Sequence, residues 1–121
     1  MAALKEVFQK YGADYETTMS RFMGSEQIYL KILAMLPRDE NLQKLDLALQ
    51  AGDYPAAFDA AHTLKGMAGN LGLTPLYQAV CATVEPLRAR APGEDYAVLF
   101  QSVKEEFKRA AGLVELVKEV G

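Results

Sequence analysis

The chain has 121 residues, half of them apolar, which is enough for one domain with a single core. A formal net charge of −3 argues against a protein that works by neutralising nucleic-acid phosphates. The single cysteine, Cys81, excludes an internal disulfide and a cysteine-based zinc cluster, and no apolar run approaches the roughly 20 residues that span a bilayer.

In chain order, Leu4, Val7, Phe8 and Tyr11 sit at helical spacing and stop at Gly12. Lys5, Glu6 and Lys10 interrupt this start, so it does not read as a secretory signal. Asp14 is a capping residue for a second helix with Tyr15, Met19, Phe22 and Met23 on one side and Gly24 after it. Ser25 caps a third, which carries Tyr29, Ile32, Leu33 and Leu36 up to Pro37. Residues 39–51 bring Leu42, Leu45 and Leu49 together and end at Gly52. Asp53 and Pro55 start a fifth helix, because proline is tolerated in a first turn. Thr74 and Pro75 repeat that signal for a helix with Leu76, Val80, Val84 and Leu87, followed by the loop RAPGED.

The last segment has Tyr96, Val103, Ala110 and Val117 seven residues apart, interleaved with Phe100, Phe107 and Val114. Such a repeat also marks coiled-coil dimers, but in a small all-helical chain it predicts the long helix of an antiparallel bundle. Alternating β-branched runs, hairpin signals, internal repeats and linkers are absent from the sequence. The expectation is therefore an all-α fold, a single domain over residues 1–121, monomeric and cytoplasmic. The methionine start and well-formed helix ends favour a free-standing protein, with excision from a longer hybrid kinase as the alternative.

The chemistry concentrates in AAHTLKGMAGNLGL, residues 60–73, which holds the only histidine. Each helical residue advances about 100° around the axis. On that count Ala57, Ala60, Ala61, Leu64, Met67, Ala68 and Leu71 form one apolar stripe, the buried face. His62 falls about 160° from Leu64 and is expected in solvent, with Gly66 and Gly69 beside it, Lys65 on its flank and Phe58 one turn earlier. A lone surface histidine is ordinarily just a solvated side chain. A metal site lacks a second histidine or cysteine at i+3 or i+4, and a serine hydrolase lacks its Gly-x-Ser-x-Gly elbow. The two glycines change the balance. Each costs a helix about 1 kcal/mol relative to alanine, and close approach by another backbone is a physical reason to keep them. Lys65 places a mobile positive charge where an anion attached to the imidazole would sit.

His62-Thr63-Leu64-Lys65-Gly66, with Gly69, Asn70, Leu71 and Gly72 after it, closely resembles the signature of the histidine-containing phosphotransfer (Hpt) domains of bacterial phosphorelays. Ala61 and Ala68 match its small positions, while Met67 replaces the small polar residue often found there. The resemblance implies a four-helix bundle over about residues 39–119, with additional short N-terminal helices over about residues 3–36. It implies a phosphocarrier without an ATP-binding domain. His62 would accept a phosphoryl group from a receiver-domain aspartyl-phosphate and pass it to another receiver's aspartate. Lys65 would stabilise the phosphoryl group, Gly66 and Gly69 would admit the receiver's loops, Asn70 would offer a hydrogen bond and Phe58 an apolar contact. No cofactor or metal of its own is expected, with Mg2+ supplied by the partner. The partners implied are receiver domains of response regulators or hybrid histidine kinases, with neither nucleic acid nor membrane. A helical adaptor that binds a receiver without taking phosphate is the competing reading.

Overall fold

The computed structural model describes residues 3–89 and 95–118, and the described residues are helical without strands. Three short helices come first, α1 (Leu4–Tyr11), α2 (Tyr15–Arg21) and α3 (Glu26–Leu33). Four longer ones follow, α4 (Asn41–Ala51), α5 (Tyr54–Asn70), α6 (Thr74–Ala89) and α7 (Tyr96–Lys118). Local chemistry sets these boundaries. The Asp14 carboxylate accepts from Thr17 N at 3.1 Å, Ser25 Oγ from Ile28 N at 3.2 Å, and Asp53 from Ala56 N at 3.2 Å. Each side chain thereby satisfies one of the backbone N–H groups left open at a helix start.

Packing between sequence neighbours builds an antiparallel four-helix bundle. α4 lies on α5, α5 on α6 and α6 on α7, while contacts between α4 and α7 close the ring. Connections of two residues after α4 and three after α5 leave the chain no length to do anything but double back. The interior is made by Leu45, Leu64, Leu76, Val80, Val84 and Val103, all fully buried. On α7 the expected stripe is inside: Val103, Phe107, Ala110 and Val114 are buried, and Tyr96, Phe100 and Val117 pack partly against the core. Of the expected loop RAPGED, only Asp95 lies among the described residues. Its carboxylate accepts from Val98 N at 3.2 Å and so starts α7. The bundle boundary expected near residue 119 also lies outside them.

The N-terminal helices fasten to this bundle through an aromatic cluster. Tyr29 is fully buried, with Phe8 and Phe22 edge-on to it at centroid distances of 5.4 and 5.1 Å. Its hydroxyl donates to the Leu71 carbonyl at 2.6 Å, which ties α3 to the end of α5.

Two sequence expectations need correction. The second helix stops at Arg21, and Met23 adopts a positive φ of 54° and is 88 % exposed instead of sharing a face with Met19. Met23 and Gly24 are successive left-handed residues, so the chain turns away before Met23 reaches the core. The third helix stops at Leu33, leaving Ile32 at 39 % exposure, and Leu36 is buried from a separate 3-10 turn at Leu36–Arg38. Pro37 lacks the N–H that an α-helix would need, and the tighter turn accommodates it.

Candidate functional site

α5 carries the site. Ala57, Ala61, Leu64 and Ala68 have no exposed surface, so the small-residue face of α5 sits close against its neighbours. His62, on the opposite side, is exposed, with Lys65 half-buried on its flank. A groove of about 600 Å³ runs along this face, lined by His62, Lys65, Gly66, Gly69 and Asn70 from α5. Its other wall is Asp14, Thr17, Thr18 and Arg21 from α2 and its cap, and its floor reaches Thr74 and Tyr77 at the start of α6.

The three glycines do different jobs. At Gly66 a Cβ would meet nothing within 4 Å, so the missing side chain serves no internal packing and leaves the helix surface open beside His62. At Gly69 a Cβ would lie 3.4 Å from the Tyr77 ring, so this glycine also accommodates α6 from within the molecule. Gly72 has φ 66° and forms the end of α5, with Leu73 N donating to Ala68 O and Gly72 N to Gly69 O. A Cβ there would overlap the Thr18 hydroxyl, so Gly72 is in addition the contact point that lets α2 close over the end of α5.

Phe58 does not line the groove. It sits one turn before His62, half-buried, with its ring centroid 5.7 Å from the imidazole and the two planes 32° apart. The Arg88 guanidinium stacks on the same ring at 5.8 Å, and Tyr54 and Leu87 border the small cleft there. Its side chain therefore flanks the imidazole from the N-terminal side of α5. Met67 is half-buried against the core, as its angular position predicted.

A match to the Hpt domain family model covers residues 38–116, more than half the chain. The chain belongs to the Hpt domain family. Comparison with curated proteins and with solved structures found no match. Hpt domains are histidine phosphotransfer modules of phosphorelays and partner receiver domains. The matched span contains α4 to α6 and most of α7, whereas α1, α2 and α3 lie outside it.

The groove of this Hpt domain holds residues that the sequence does not mark as part of a site. Arg21 donates from Nη1 to the Gly69 carbonyl at 2.8 Å, across 48 residues of sequence. Tyr77, Thr74 and Thr18 are brought in by the turn at Gly72 and by the closure of α2. No local signal marks Arg21, because its role depends on how α2 docks. The Asp14 carboxylate is also at the groove, but its oxygens accept from Thr17 N and from Thr17 Oγ1 at 2.9 Å. Those bonds hold its carboxyl below the usual carboxylate range. Among the described residues, no three His, Cys, Asp or Glu side chains are placed to hold a metal ion. None of the described helices is long and apolar enough to cross a membrane.

Proposed function

We propose that this Hpt domain is a phosphorelay intermediate in which His62 takes a phosphoryl group from a receiver aspartyl-phosphate and passes it to a second receiver. The observation that carries this reading is the exposed His62 beside an unoccupied strip of helix surface at Gly66. The neutral form of the imidazole carries a ring-nitrogen lone pair and is a competent nucleophile. In the forward step the Nε2 lone pair forms the N–P bond as the acyl P–O bond breaks. The bonding electrons leave on the aspartate carboxylate, and the Nδ1 proton stays on the ring until water removes it. Return transfer to an aspartate is the same step reversed.

Charge on the equatorial phosphoryl oxygens must be met during this exchange. On this chain Lys65, half-buried in the groove lining beside His62, would supply part of it, and Mg2+ bound by the receiver would supply the rest. Phe58 flanks the imidazole and restricts its swing, and Asn70 offers an amide at the far end of the groove. Val103, Phe107, Ala110 and Val114 of α7 are buried inside the bundle, which supports a monomer, and a cytoplasmic setting fits partners of this kind.

The test is direct. A phosphorylated receiver that labels the wild type should leave acid-labile phosphate on it and none on His62→Gln. Labelled ATP alone should leave both unlabelled. Equal labelling of the two proteins would reject His62 as acceptor. A receiver that binds without any transfer, across a full set of receivers from the source organism, would favour the adaptor reading. Lys65→Ala should slow transfer by about tenfold, because a mobile, half-buried point charge is worth less than a fully buried, preorganised donor.

A further inference from the structure

The groove beside His62 has a wall that the family match does not cover. That wall is α2, and its only cation is Arg21. Arg21 is exposed, yet one of its guanidinium nitrogens is fixed on the Gly69 carbonyl at 2.8 Å. An arginine has five N–H donors in a planar fork, so most of its donors remain available after that bond. Among the described residues no carboxylate lies within ion-pair distance of it. Asp14, the acid nearest in the groove lining, is committed to Thr17. The molecule is acidic overall, with a net charge of −3, so a tethered, unpaired guanidinium at the groove is a local reversal of sign.

We propose that Arg21 is a docking and specificity residue, which meets a carboxylate on the receiver surface surrounding the phosphorylated aspartate. This rests on the phosphorelay reading above. The occupant follows from charge complementarity: a surface that must hold Mg2+ beside a phosphoryl group is built around carboxylates, and a preordered fork suits one of them. Helical rise sets the kind of effect. Gly69 lies seven residues beyond His62, roughly 10 Å along the axis at about 1.5 Å per residue. A guanidinium tethered there is too distant to touch the reacting phosphorus. Arg21 therefore acts on the encounter and not on the chemical step, and α2 sets which receivers fit.

The experiment is single-turnover phosphotransfer from the receiver domain that labels the wild type fastest, followed against receiver concentration. Arg21→Gln removes the charge and leaves a polar amide at this position, and Arg21→Lys keeps the charge. Arg21→Gln should raise the half-saturating receiver concentration about tenfold with little change in the limiting rate, and the gap should narrow as salt screens the charge. Arg21→Lys should recover most of the loss, and both variants should melt close to the wild type. An unchanged half-saturation in Arg21→Gln overturns the inference. So does a loss shared by both variants that follows a fall in melting temperature, which would make Arg21 a clamp for α2 alone. If the wild type takes label and only the Arg21 effect is missing, the phosphorelay reading stands. If no receiver labels the wild type, both fall.

Discussion

At the scale of single residues, the two glycines beside His62 separate function from packing. Gly66 faces open space and Gly69 faces the Tyr77 ring. Alanine at 66 should therefore gain helix propensity, about 1 kcal/mol, and raise the melting temperature by about 4 °C. The same methyl stands on the surface proposed for receiver approach, so on that proposal transfer should slow while the fold improves. At Gly69 the gain is offset by the 3.4 Å contact with Tyr77, and Gly69→Ala should melt near the wild type. Thermal melts of both variants, read beside their transfer rates, check the contrast. A Gly66→Ala variant that is both stabilised and unimpaired would show that the cleared surface has no use.

At the scale of elements, the turn between α5 and α6 joins the site to the N-terminal helices. Gly72→Ala must place a Cβ in left-handed backbone, about 1–2 kcal/mol, and must also push Thr18 aside. We expect a total loss of about 2–3 kcal/mol and a melting point lower by about 10 °C, measured by calorimetry. Removing the Thr18 hydroxyl and methyl in Thr18→Ala should recover part of it. The helix that holds the site was legible in the sequence, for plain reasons. The stripe from Ala57 to Leu71 follows from 3.6-residue periodicity, and Asp14, Ser25, Asp53 and Gly72 act through neighbours a few residues away. Such local signals survive without tertiary knowledge. What was not legible depends on docking: Arg21 reaching Gly69, Tyr29 reaching Leu71, and Tyr77 lying under Gly69. Periodicity alone puts Met23 on the buried face of α2, because it cannot see the left-handed turn that begins at Met23.

At the scale of the whole molecule, one continuous core runs from Leu4 in α1 to Val114 in α7, so the N-terminal helices and the bundle share their interior. That interior contains two phenols. Burial pushes Tyr11 up to about 12 and holds Tyr29 above its ordinary range as well. A raised folded-state pKa means that the protonated form is the one the fold favours. This contribution is complete below the ordinary phenol pKa of 10.0 and is lost as pH rises through about 12. Stability should therefore fall steeply over that alkaline window, and urea titrations should show Tyr11→Phe losing less than the wild type. The same shared core holds α5, which carries His62, and α2, which forms the facing wall of the groove. The carrier role itself is tested most directly by isolating the phosphorylated wild type and adding a fresh, unphosphorylated receiver. Acid-labile phosphate is expected on His62 and should leave for the receiver's aspartate, with none formed on His62→Gln. Label that is acid-stable, that resides elsewhere than His62, or that no receiver can remove would contradict it.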